Sequence, residues 1–272
     1  MDDRPIGVFD SGFGGLTVAR ALIDLLPAED LVYVGDTGRY PYGPRPLDEV
    51  RGYAEEITRM LVEDHGVKMV VVACNTAAAA ALAPLRYGHD VPLVGVIDPG
   101  LRAAVRATRS GRVGVIGTVG TIASGAYQRA VARLRTSPPV ELTCAACPGF
   151  VEFVERGETG SDQVRVLAER LLAPVRDAGV DTLLLGCTHY PYLARTISDA
   201  VGRHVVLVSS ADETAFEILA ILAETGLGRR GPATGSQTWI SSGDVTTFRR
   251  LGRRLLGPEI DRVHPWTPAP GR

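Results

Sequence analysis

Lysine is almost missing from this chain of 272 residues: with 29 basic residues in all, Lys68 stands alone against 28 arginines. A pyridoxal-phosphate enzyme carries its cofactor as a Schiff base on lysine, so that chemistry has a single candidate position. Lys68 precedes the apolar run 69–73 and reads as a solvated residue at the start of a strand. Cysteine is scarce too. Four residues without an export signal exclude a disulfide-stapled secreted scaffold and predict free thiols in a reducing, cytoplasmic setting. The start, Met1-Asp2-Asp3-Arg4-Pro5, is acidic and leads into only a short apolar run, so no signal peptide is expected. No apolar run approaches the ~18 residues of a membrane span. An excess of charge is lacking as well: net charge is −2 and the pI is near 6.2, so no direct nucleic-acid binding is expected. What the chain does have is 45% hydrophobic residues beside 22% charged, enough to bury a core in one large or two modest domains.

Short apolar, β-branched runs alternate with amphipathic stretches. Strands are predicted at 6–9, 31–34, 70–73, 93–96, 113–116, 183–185 and 205–208, with weaker signals at 140–143 and 237–240. Helical periodicity marks 16–26, 48–63, 123–134, 163–177 and 214–222. This is the pattern of βαβ units around buried, mostly parallel strands, an α/β fold. The chain also repeats itself. Ile6-Gly7-Val8-Phe9 resembles Val113-Gly114-Val115-Ile116, the run ending Cys74-Asn75-Thr76 resembles the run ending Cys187-Thr188-His189, and Leu93-Val94 resembles Leu207-Val208. The offsets are 107, 113 and 114, so order and spacing persist, and two pseudo-symmetric α/β domains are expected. The segment after Asp212 has no counterpart in the second half and is expected to pack back on the first. The domains are therefore drawn as 1–97 plus 210–266, and 98–209. The tail from Val263, and above all 267–272, carries three prolines and is expected to be loose.

Ligands of open parallel sheets bind beyond the carboxyl ends of the strands. Four polar clusters follow apolar runs directly: Asp10-Ser11-Gly12, Asp36-Thr37 with Tyr40-Pro41-Tyr42-Gly43, Cys74-Asn75-Thr76, and Cys187-Thr188-His189. Cys74 and Cys187 each stand where a strand should end and a helix begin, a place that favours the thiolate. Asp10 suits a helix cap and a binding role equally. The glycines after it fail as a dinucleotide fingerprint, because Gly12-x-Gly14 is followed by Thr17 where a glycine is needed. His189, two residues past Cys187, can tune that thiol. Cys144-Ala-Ala-Cys147 is a lone CxxC without the second pair a zinc site needs, so it reads as structural and no metal is expected. Glu152 and Glu155 follow on a short helical stretch; Glu152 is the candidate and Glu155 reads as a solvated face.

Two thiols on facing halves suit inversion of a tetrahedral carbon, one taking a proton from one face while the other delivers one to the opposite face. The same residues also admit a thiol hydrolase with His189 as base, or a binding cleft without catalysis. Phe9-Asp10-Ser11-Gly12-Phe13-Gly14-Gly15, Tyr33-Val34-Gly35-Asp36-Thr37, Tyr40-Pro41-Tyr42-Gly43, Ala73-Cys74-Asn75-Thr76 and Gly186-Cys187-Thr188-His189-Tyr190-Pro191 resemble the glutamate racemase family, as does 113–117 with Thr118 and Thr121. The resemblance runs over roughly residues 5 to 260. It implies a cofactor-independent racemase of L- and D-glutamate serving peptidoglycan synthesis, with two α/β domains and the substrate between them. By motif, it gives Cys74 the D-enantiomer and Cys187 the L-enantiomer, sets Asp10 to assist Cys74, and places His189 and Glu152 near Cys187. Ser11, Tyr42, Gly43, Asn75, Thr76 and Thr188, with Asp10, are then the substrate-binding residues. The family implies a homodimer. Some members are linked to control of DNA gyrase, a role with no signature in this sequence.

Overall fold

The computed structural model describes residues 2–229 and 234–269. Two sheets organise them. The first has six strands: β1 (Ile6–Asp10), β2 (Leu31–Gly35), β3 (Met69–Val72), β4 (Leu93–Gly95), β9 (Gln237–Ser241) and β10 (Val263–Pro265), in the order β10-β9-β2-β1-β3-β4. The second has four: β5 (Arg112–Gly117), β6 (Glu141–Ala146), β7 (Thr182–Gly186) and β8 (Val206–Ser209), in the order β6-β5-β7-β8. Every pairing is parallel. The central strands IGVFD, MVVV and TLLLG are buried along their whole length, as strands covered by helices on both faces must be.

The internal repeat is visible in the topology. In each half the first strand is central, the second pairs on one side, the third on the other, and the fourth outside the third. β1 thus corresponds to β5, β3 to β7 and β4 to β8, the three matches read from the sequence. The chain's later strands β9 and β10 extend the first sheet beyond β2. Among the described residues no helix is long and apolar enough to cross a membrane.

The predicted helix 123–134 is α6 (Ala126–Arg133), preceded by a separate short helix α5 (Val119–Ala123). The predicted helix 163–177 is divided into α8 (Asp162–Leu171) and α9 (Ala173–Asp177). The break falls just before Pro174, in the first turn of α9, since its ring has no N–H to offer the preceding turn. The tail also differs. Pro265 is tolerated on the outermost strand, where its missing N–H interrupts no ladder. The Trp266 N–H bonds to Ser241 O at 2.9 Å and that of Ala269 to Glu56 Oε1 at 2.6 Å, so the chain is held as far as 269. Residues 270–272 lie outside the described residues.

Lys68 is not solvated. It is 1% exposed, and its Nζ reaches Glu29 Oε2 at 2.5 Å, the carbonyl of Asp2 at 2.8 Å and that of Leu227 at 2.9 Å. All three ammonium donors are used. The site lies at the amino end of β3, where the N-terminal segment, the turn after α1 (Leu16–Leu25) and the end of α11 (Ser210–Thr225) converge.

Candidate active site

A pocket of about 110 Å³ opens at the carboxyl ends of both sheets, lined by residues 10–11, 40–44, 74–76, 118–119, 147–149, 151–152 and 187–189. Every predicted site residue is among them, drawn from both halves. Lys68 is at the opposite, amino-terminal edge of its sheet.

On the first wall, Asp10 ends β1 and is 1% exposed; its Oδ2 accepts the Gly12 N–H at 2.9 Å. Burial raises its pKa, against the pull of the nearby His189 charge and of the Gly12, Gly15 and Ser11 amides. Cys74 caps α3 (Asn75–Gly88), and its thiol points to Ser11 Oγ at 3.7 Å. Here the expectation of a depressed thiol fails. Burial, joined by the charge of Asp10, pushes Cys74 up to about 12, and the Ala77 amide and the Ser11 hydroxyl only soften that rise. The helix terminus is present, but desolvation by the covering half outweighs it.

On the second wall, Cys187 follows β7 and leads into a short 3₁₀ turn (Tyr190–Leu193) where an α-helix was expected. Its Sγ lies 4.0 Å from His189 Nδ1, and His189 Nε2 lies 3.3 Å from Glu155 Oε1. Burial alone would strip the proton from His189; the hydrogen bonds to Cys187 and Glu155 and the charges of Cys187 and Asp10 prevail, holding its pKa up at about 10. The carboxylate on His189 is therefore Glu155, one turn along α7 (Phe150–Arg156) from Glu152, which lines the pocket instead.

The halves meet closely around these walls. A Cβ at Gly14 would stand 2.4 Å from both His189 Nδ1 and Thr188 Oγ1, so only glycine lets the loop after β1 lie against the opposite wall. Thr76, Thr118 and Thr121 join their hydroxyls across the halves at 2.9–3.0 Å. The Gly120 N–H donates to Gly43 O at 2.9 Å. Tyr42 gives its hydroxyl to Asp36, which also accepts from Arg39 Nε at 2.8 Å and Ser242 Oγ at 2.5 Å. Asp36 thus anchors the 40–43 loop from beneath.

Two donors remain open. The Asn75 Oδ1 takes the Tyr127 hydroxyl at 2.8 Å, yet Asn75 Nδ2 is buried without a partner, as is the Tyr40 hydroxyl. Buried donors at a pocket wall need an acceptor from a bound molecule or water. Tyr40 and Thr118, which the sequence places in site-like motifs without a role, line the pocket, as does Val119, for which the sequence gives no signal; Cys147, expected to be structural, lines it too, with its backbone N–H tied to Gly117 O at 2.8 Å. Cys144 packs on the first core cluster and Cys147 belongs to the second, so the CxxC straddles its sheet; both thiols are free. Among the described residues no group of three His, Cys, Asp or Glu side chains could hold a metal ion.

The family profile described as Asp/Glu/hydantoin racemase matches residues 6–216. A glutamate racemase of Acidothermus cellulolyticus is 54% identical over 264 residues, 97% of this chain and 99% of that protein. The structure of a glutamate racemase isoform from Bacillus anthracis superposes with a TM-score of 0.91 at 39% identity, covering 98% of both chains. That of the Francisella tularensis glutamate racemase in complex with D-glutamate does so with a TM-score of 0.90 at 30% identity, again covering 98% of both. With sheet order, pocket and sequence in agreement over nearly its whole length, this chain belongs to the Asp/Glu/hydantoin racemases and, within them, to the glutamate racemases.

Proposed function

We propose that this chain interconverts L- and D-glutamate by a two-base exchange, in which one thiolate takes the α-proton from one face while the opposite thiol delivers its own proton to the other, with no cofactor, and so supplies D-glutamate for peptidoglycan. The observation that carries this reading is one pocket presenting Cys74 from the first half and Cys187 from the second. In this reading 1–97 plus 210–266 and 98–209 are its two domains. Cys74 takes the α-proton of D-glutamate, helped by Asp10, while Cys187 takes that of L-glutamate, with His189 and Glu155 behind it. The His189 imidazolium is the countercharge that a thiolate at Cys187 needs. Asn75 Nδ2 and the amides of Ser11, Gly43, Thr76 and Thr188 are donors for the carboxylates and for the carbanion's developing charge. Glu152 and Asp10 are the wall carboxylates available to the substrate ammonium.

In D₂O both enantiomers should acquire α-deuterium while the optical rotation of either decays to zero. Activity should survive dialysis against chelator, and no pyridoxal phosphate should be found, since the only lysine is buried, fully bonded and remote from the pocket. Activity restored by added metal or pyridoxal phosphate overturns the reading. Homodimerisation, implied by the family resemblance, is read directly by analytical ultracentrifugation.

The pH profile tests the second wall. Below about 10 His189 keeps its proton beside Cys187; as pH rises through that value the countercharge is lost and kcat/KM should fall. Glu155→Gln removes one of the groups that raise His189, so the alkaline limb should move to lower pH and the rate near neutrality should drop roughly tenfold or more. A limb that stays in place in the variant removes Glu155 from this assignment.

A further inference from the structure

Besides the loop after β1, a second element of the first half reaches the wall that carries Cys187. Helix α12 (Val245–Leu255) buries Phe248, Leu251 and Gly252 against the first half, with Phe248 stacked on Phe13 at 5.3 Å. Its last turn reaches across. Arg254 Nη2 donates to Val154 O at 3.2 Å and to Glu155 O, and Leu255 O accepts the Tyr192 hydroxyl at 3.2 Å. Val154 and Glu155 belong to the final turn of α7, whose cap Gly157 has φ +80°. A Cβ there would meet Arg254 Nη1 at 3.3 Å, so the guanidinium lies against the cap itself. The last carbonyls of a helix lack partners within it, and a cation beside them is favourable. α7 has only seven residues and two buried anchors, Phe150 and Val154.

We propose that Arg254 is a positioning residue: by holding the closing carbonyls of α7 from the opposite half, it sets where Glu155, and through it His189, stands relative to Cys187. The path is continuous, from Arg254 to the Glu155 backbone, from the Glu155 carboxylate to His189 Nε2, and from His189 Nδ1 to Cys187. Tyr192 fastens the same turn of α12 to the segment just after His189. The inference rests on the racemase reading. A small displacement of an aligned proton-transfer group can cost as much as about 10²-fold in rate.

Its test is Arg254→Gln, with Arg254→Lys and Arg253→Gln beside it. Arg253→Gln removes the same charge from the same turn; Arg253 lines the groove shared by Arg249, Arg250 and Arg262, without a bond to α7. The enantiomers are equal in energy, so kcat/KM must change alike in both directions and cannot say which wall is affected. The substrate isotope effect can. Arg254→Gln should lower kcat/KM about tenfold, enlarge the effect of α-deuteration for the enantiomer that Cys187 deprotonates, and shrink it for the other. Arg254→Lys should recover most of the rate, and Arg253→Gln should match the wild type. A lower melting temperature with both isotope effects unchanged, or equal behaviour of the two glutamine variants, overturns the proposal. Wild-type α-deuteration in D₂O separates the two levels: without it the racemase reading itself falls, whereas with it a negative result falls on Arg254 alone.

Discussion

Removing either thiol wall should nearly abolish racemisation: Cys74→Ala and Cys187→Ala are each expected to lose roughly 10²–10⁴-fold in kcat/KM, the range for a general acid–base group. Cys144→Ala and Cys147→Ala should stay within tenfold of the wild type. Cys147 makes this a strict comparison, because it lines the same pocket and its thiol is also pushed up to about 12 by burial and by Cys187. It differs in its partners: its thiol hydrogen-bonds to the Ala145 carbonyl at 4.0 Å, whereas Cys74 faces the Ser11 hydroxyl and Cys187 the His189 ring. A folded Cys147→Ala variant with near-zero turnover would overturn the assignment. Serine replacements then separate the walls. Serine is a far weaker acid than cysteine, so the step that uses it becomes more rate-limiting. Cys187→Ser should enlarge the α-deuterium isotope effect mainly from L-glutamate, and Cys74→Ser mainly from D-glutamate. Equal enlargement from both enantiomers in both variants would mean a single shared base.

Lys68→Met should be the most damaging substitution to stability, and it should spare the chemistry. It leaves the Glu29 carboxylate buried with no cation beside it, retaining only the Arg229 N–H at 2.8 Å. Breaking one partner out of a buried ion pair costs about 3–5 kcal/mol, a large share of a typical total of about 5–15 kcal/mol. The expected fall in melting temperature is on the order of 10 °C. Adding Glu29→Leu should restore much of it, because removing both charges removes the uncompensated one. Thermal unfolding followed by circular dichroism measures both, and a single variant that melts within about 2 °C of the wild type refutes the account. Turnover at low temperature should be unchanged, since the pair is at the far edge of the sheet from the pocket.

The contrast between these two sites marks what the sequence made legible. A strand buried on both faces writes itself as an uninterrupted apolar run, so β1, β3 and β7 were visible, and with them the residues just beyond their ends. That is why Asp10, Cys74 and Cys187 are legible from the chain alone, and why three ordered matches imply two like halves. Lys68 was misread because its partners come from three distant segments, the farthest, Leu227, 159 residues away. Local context shows only a lysine before a strand. The same limit applies to the two glutamates of α7. Glu152 and Glu155 are three apart on one short helix, and which one meets His189 depends on how α7 sits on the turn after β7, a tertiary fact. The protonation of Cys74 was misjudged for a related reason: a helix terminus is readable from sequence, whereas the desolvation imposed by the other half is not.

The pocket wall contributes carboxylates, thiols, hydroxyls, amides and one imidazole, but no arginine or lysine among its lining residues. An acidic substrate is then held largely by dipoles that lose little when it leaves. For a catalyst whose product is the mirror image of its substrate, that restraint matters. Whatever grips one enantiomer tightly in the ground state grips the other in the same space, and equal tightening of both adds nothing to the rate of the chemical step. Departure would become the slow event instead. A wall of hydroxyl and amide donors, with one imidazolium already matched to a thiol, leaves the strongest interactions to the planar, charge-bearing species halfway between the two hands, and lets either hand go.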